Sequence, residues 1–555
     1  MPDYLNEGPS DSPSPTNQRS SRSDARLRAE AELALLNRVE NRDSLSSISR
    51  RLKIPLSTLR DWNRKLEPEA MQDPRSPFFL SPVGRHFLWQ LEVLLHLHLG
   101  SSAAGSRVVS RILQDLDLRC FIGCSPNAQN EFAKKLWKAV GAYGDEEEAR
   151  LAKDMETRLV CLAMDETFFK ETLGLIAIDL VSGYHLTEVY SEDRRQETWQ
   201  KANQPALERF NVEPFSVTSD QAKALIKHIE LDIGVQQSPD LFHVTQDCGK
   251  AVVQPLARRT SQAAKKLKEL RKDLENKRSD RGRRALEIEI AKQESLVKSS
   301  QELSDQARES QKGINESYHP VDLKTGDWLS RTTIEEKIEA NFEKLEELAQ
   351  RGKLSEKQRS RLGKAKRVLP AMLAYLSYFF DFVEVLARNW DLSGDKKQAW
   401  LSLVSAKYVG LVAERDRTDQ KKRLKGLAQT LEEKALRSLE QSFEGTIEAA
   451  QLESMIKEAL CLAQLFQRSS SAVEGRNSWL SLWRHGQKRI SPQKWHALKV
   501  LRNFWQTKPD GTTAAERFFG RKPRDLKEYL WEHMPQPPAA AKRRKPQHDV
   551  RGVAA

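Results

Sequence analysis

Within a chain of mostly helical periodicity, the hydrophobic pattern changes its period at residue 158. RLVCLAMD, GLIAIDL and YHLTEVY are short β-branched runs separated by turn-forming segments at Lys170–Gly174 and Ser182–Gly183. They read as three successive antiparallel strands. A helical stretch, ETWQKANQPALERF, follows, then a strand FSVTSD, a short helix QAKALIKHIE and a further strand around DLFHV. The order β-β-β-α-β-α-β predicts a mixed five-stranded sheet, antiparallel on one side and parallel on the other.

The flanks obey a different period. Residues 29–66 give three short amphipathic stretches, with Ser44 and Ser57 as candidate N-caps and Pro55 where a helix must stop. Ile48, Leu52, Leu56 and Leu59 fall on faces that pack together, which leaves Arg60, Asn63, Arg64 and Lys65 facing outward. That is the layout of a helix-turn-helix, assigned to residues 26–70, with those four as DNA contacts. Residues 71–154 repeat the theme, with Ser125 capping a helix that starts at Pro126. Residues 251–465 are helical throughout. Their stretch 262–312 reads as a charged antiparallel hairpin broken at ENKRSDRGR, and Trp390 and Trp400 read as core. Residues 1–25 and 536–555 are rich in Pro, Ser, Ala or charge and are expected to be disordered.

At 555 residues the chain needs several cores. Its 91 basic and 78 acidic residues leave a net charge of +13, which suits a polyanionic partner, nucleic acid being the usual one. Five cysteines, without a second Cys or His pair at zinc-site spacing, read as reduced packing residues of a cytoplasmic protein. The most apolar window, 368–387, carries Asp381 and Glu384 and is expected to be a buried helix and not a membrane span.

Phosphoryl transfer on DNA uses two divalent cations, and hard cations such as Mg²⁺ or Mn²⁺ take carboxylate oxygens. Asp165 follows the apolar run LVCLAM and Asp220 follows FSVTS, so both acids emerge at strand ends expected to be neighbours. Asp220 also suits the cap of the next helix. Glu474 lies in SSSAVEGRNSWLSL, where Ser471 and Glu474 have capping-box spacing. Glu444, Glu448 and Glu453 are its rivals by position. His243, Arg476, Asn477, Lys488 and Arg489 are further candidates for contacts to DNA, while Glu166 is expected on the opposite side of the strand from Asp165.

The segments AMDET, VTSDQAKAL and SSSAVEGRNSWLSL resemble the DDE transposases of bacterial insertion sequences, and the segment from NSWLSLWRHG to ERFFGRKP resembles a block that follows the catalytic Glu in some of them. The resemblance implies an RNase H-like core split into residues 155–250 and 466–535 by the helical insertion. It implies Asp165, Asp220 and Glu474 as the catalytic, metal-binding triad with two Mg²⁺ or Mn²⁺ ions. It further implies terminal inverted repeats and target DNA as substrates, and a homodimer or larger synaptic complex. The alternatives are a catalytically silent, domesticated transposase acting as a DNA-binding regulator, a nuclease without strand transfer, and a structural protein oligomerising through its charged hairpin.

Overall fold

The computed structural model describes residues 27–534, except 29, 36, 39–40, 66–72, 103, 169–171, 417 and 487–489. The expected disordered segments 1–25 and 536–555 therefore lie outside the described residues, as do Lys488, Arg489 and the side chains of Arg64 and Lys65. The chain divides into two compact units. One takes Met1–Lys153 together with Leu482–Ala555, the other Asp154–Ser481.

In the first unit, α1 (Leu45–Leu52) and α2 (Leu56–Lys65) pack on a small core of Ala31, Leu35, Ile48, Ile54 and Leu59. Ser44 caps α1 by accepting from the Ser47 amide at 3.0 Å, and Lys53 closes it with a left-handed φ of 54°. The second expected cap, Ser57, lies inside α2, because that helix already begins at Leu56. Arg60 is exposed and Asn63 half-buried. Then come α3 (Pro82–Ser101), α4 (Ser106–Asp115) and α5 (Pro126–Ala152), the last capped by Ser125 with Pro126 in its first turn.

The second unit holds the sheet: β1 (Arg158–Phe168), β2 (Leu173–Asp179), β3 (His185–Ser191), β4 (Val212–Ser219) and β5 (Gln236–Pro239). Their order is β3-β2-β1-β4-β5. The pairs β1–β2 and β2–β3 are antiparallel, whereas β1–β4 and β4–β5 are parallel. Helix α6 (Gln196–Arg209) covers one face, where Asn203 reaches the Met164 sulfur at 3.5 Å. Sequence order places the fifth strand later, around DLFHV. The strand in fact ends at Pro239, because the Asp240 carboxylate accepts from the Phe242 amide at 2.8 Å and caps α7 (Leu241–Cys248). A short polar strand, QQSP, carries no alternating apolar signal, and the Asp cap outweighs the apolar run after it.

Helices α8 (Gln254–Asn276) and α9 (Asp280–Ser317) form an antiparallel pair along a seam that includes Leu270 and Ile290. Beyond them α10 (Arg331–Arg351), α11 (Leu369–Asn389), α12 (Gly394–Arg415), α13 (Gln420–Ser442) and α14 (Ala449–Leu465) build a helical body. Residues 356–389 are long and apolar enough to cross a membrane, and here Met372, Tyr375, Leu376 and Phe379 of α11 are buried in the core. The same core takes in Cys161 and Phe215 of the sheet, and Phe215 meets the rings of Tyr378 and Phe382 at about 5 Å. Helix α15 (Ser471–Gly486) begins in this unit, whose last residue, Ser481, lies within it. In the first unit α16 (Pro492–Phe504) and α17 (Leu526–His533) then pack on α5.

Candidate active site

Parallel pairing of β1 and β4 fixes the level of the two aspartates. Ala163 pairs with Thr218, so two residues further on each strand Asp165 stands level with Asp220. Asp165 is not the last residue of its strand, since pairing with β2 runs on to Phe168. Alternation then sends Met164 and Glu166 to the face covered by α6 and Asp165 to the other. Glu166 is buried there and paired at 3.6 Å with the exposed Arg194, the residue two before α6.

Asp220 caps no regular helix. Its carboxylate accepts from the Ala222 amide at 2.9 Å, and the helix begins only at Lys223, giving way to a wider π turn at His228–Ile233. This local bond holds Asp220 in a tight turn at the strand's end.

The third acid arrives on a tethered segment. After α14, residues 465–470 run beside the sheet. The Leu465 carbonyl accepts from the Cys161 thiol at 3.2 Å and from the Tyr375 hydroxyl at 3.0 Å, while the Gln467 carbonyl accepts from Ser238 at 3.0 Å. The Arg468 carbonyl accepts from the Leu241 amide at 2.9 Å, and the Ser470 hydroxyl donates to Asp240. Helix α15 therefore begins at Ser471 beside the end of β5. Ser471 is already helical and Ser470 is bonded to Asp240, which displaces the capping box expected of Ser471 and Glu474. The Glu474 carboxylate instead faces the His243 ring at 3.5 Å. His243 thus sits in the first turn of α7, not at a strand end, 3.8 Å from Asp240.

Two neighbours on α15 tie this helix to the sheet. The Asn477 amide donates to Asp165 at 2.7 Å, and its own carbonyl oxygen is buried without a hydrogen-bond partner. Arg476, expected as a phosphate contact, is buried against Glu188 of β3 at 2.5 Å, and His185 adds a second contact to Glu188 at 2.8 Å. Burial alone would raise the Glu188 carboxyl, but Arg476 and His185 hold it down at about 2. A sequence of alternating polar residues in β3 gives no sign of this pair, since only the fold brings residues 188 and 476 together.

Burial pushes the Asp165 carboxyl up to about 7. The backbone amide of Glu166 opposes the rise, while the negative charges of Glu474, Asp220 and Glu166 add to it. The charges of Asp220 and Glu474, the other two acids of the expected triad, thus both bear on Asp165. An all-oxygen set of carboxylates plus the orphaned Asn477 carbonyl suits a hard divalent cation. Among the described residues, however, no three His, Cys, Asp or Glu side chains are gathered closely enough to hold an ion as they stand.

Two segments of the chain match known family models. Residues 401–546 match a family of unknown function (DUF6399), and residues 38–70, which include α1 and α2, match the LysM domain. Neither model is that of a transposase. The first match runs from α12 through Glu474 into the closing helices of the first unit. No curated protein and no solved structure matches the chain.

Proposed function

We propose that this protein is a DNA transposase of the DDE type. On this reading an RNase H-like sheet presents Asp165 and Asp220, α15 delivers Glu474, and the site nicks DNA at element ends and transfers the freed strand. The observation that carries the reading is that Asp165 and Asp220 stand level on adjoining parallel strands, while Glu474, far off in sequence, is brought by α15 to His243 beside β5 and its helix ties to Asp165 through Asn477. The strand order β3-β2-β1-β4-β5, with its antiparallel and parallel halves, is consistent with that core.

Each residue has a distinct part. Asp165 and Asp220 offer oxygens from fixed backbone positions, and Asn477 steers one Asp165 oxygen while its free carbonyl extends the donor set. Glu474 completes the set by turning from His243 toward Asp165, a rearrangement within the first turn of α15. Divalent cations held there would activate the attacking oxygen and neutralise the leaving one. His243, half-buried beside Glu474, is the proposed contact to a scissile phosphate, and the α1–α2 pair is the proposed reader of the terminal inverted repeats.

The test is nicking of a DNA that carries the element's own ends, with Mg²⁺ or Mn²⁺. Asp165→Ala, Asp220→Ala and Glu474→Ala should each reduce nicking to background while leaving duplex binding intact. Glu474→Gln should be as inactive as Glu474→Ala, because Gln is a poor ligand for a hard cation. Full activity in Glu474→Gln removes Glu474 from the triad. A second reading, a silent DNA-binding regulator, is favoured by the Asn477 and His243 contacts that already engage two of the acids. Wild-type protein that binds the ends but never cuts them selects it.

A further inference from the structure

We infer that the tip of the α8–α9 hairpin is a second, sequence-independent grip on duplex DNA. The inference rests on the DNA reading above and adds a surface to it. Charge is segregated along the hairpin: residues 265–284 at the tip carry ten Lys or Arg against four Asp or Glu, whereas residues 285–317 carry four against seven. Below the tip, basic residues are neutralised across the seam, Lys266 with Glu289 at 3.3 Å and Arg271 with Glu294 at 2.7 Å. At the tip itself Lys277, Arg278, Arg281, Arg283 and Arg284 are exposed and form no ion pair among the described residues. An ordinary solvated face balances its signs, whereas this one, even with Asp273, Glu275 and Asp280 exposed on it, keeps a large positive excess.

Reach agrees with charge. Helix α8 has 23 residues, so it carries the tip roughly 35 Å from its base. That span is about one turn of B-DNA. Its base follows α7, the helix that places His243 beside Glu474, through a single π turn at Gly249–Val253. A duplex lying in the site can therefore meet five unpaired cations about one turn away. Phosphates are the partner that such a cluster recognises, without reading bases.

The experiment is a fluorescence titration of an end-bearing duplex of about 40 bp against full-length protein across a range of salt, with EDTA present so that cutting plays no part. Replacing all five cations by Gln should weaken binding and reduce the slope of log K against log salt by about two or more, at about 0.9 per phosphate contact. A companion in which the four arginines become Lys keeps the charge and should keep the slope. A Gln variant with the wild-type slope overturns this grip but leaves the proposed function standing. Loss of binding in both variants assigns the tip a structural role and also overturns it. Wild-type protein with no duplex binding overturns both.

Discussion

Arg476 and Glu188 show how a single buried pair positions a candidate catalytic helix. The two side chains are 5% and 0% exposed, and their charges are removed from water together with His185. Breaking such a pair leaves a stranded charge, at a cost of about 3–5 kcal/mol, whereas replacing both partners by apolar groups is often close to neutral. Arg476→Met is therefore expected to lower unfolding stability by about 3 kcal/mol or more. The double variant Arg476→Met with Glu188→Leu should recover most of the loss, and urea unfolding of the two measures the difference. Glu92, in the first unit, is a second buried acid with an unusual environment. Gln129 donates to one of its oxygens at 2.5 Å, the other has no partner, and burial raises the carboxyl to about 8. The folded state thus holds a proton that the unfolded chain releases near pH 4.3. Its contribution to stability is complete below that pH and is lost as pH rises toward about 8. Thermal melts between pH 5 and 8 should show Glu92→Gln flattening the decline relative to wild type. Burial also disfavours ionisation of His96 and Lys494; His96 shares Gln129 with Glu92, so the same melts in a His96→Gln background separate its part.

Among the elements, the tether at residues 465–470 carries the most consequence for the site. It is held by side chains of β1, β5 and α11, and Tyr375 alone serves two of its backbone groups, donating to Leu465 and accepting from the Gln467 amide at 3.2 Å. Tyr375→Phe strands that amide in the core, which costs about 1–3 kcal/mol. Nicking should fall more than stability accounts for, because the tether sets where α15 begins. Activity assayed well below the variant's melting temperature separates the two effects. This element depends on contacts that no local sequence pattern encodes. The strands β1 to β4 were legible because β-branched runs alternate with clear turns, and Ser44 and Ser125 were legible as caps because their bonds are local. That residues 165 and 220 fall on adjoining strands was legible from the apolar runs before them, although Asp165 lies inside its strand and not after it. The polar strand β5, the helical setting of His243 and the burial of Arg476 were not. Each depends on partners hundreds of residues away or on an Asp cap that competes with an apolar pattern. Only resemblance favours Glu474 over Glu444, Glu448 and Glu453 in the sequence, and only the fold supplies its contact with His243, in the helix that follows β5.

At the scale of the whole molecule, the two ends of the chain share one unit and the sheet with its helical body forms the other. Within the first unit Glu147 of α5 is fully buried and answered by Arg150 and by Arg524, and the Tyr143 hydroxyl donates to the Arg524 carbonyl at 2.6 Å. Both units therefore close on residues made late. A ribosome adds about 5–20 residues per second. Asp220 is synthesised about 250 residues before Glu474, so the pair of aspartates waits on the order of 10–50 s for the third acid. The amino-terminal helices wait longer still for α16 and α17. If the proposed triad is right, a nascent chain lacks its third carboxylate until residue 474 is made, and a copy truncated by a premature stop anywhere in the helical body carries two carboxylates and no third.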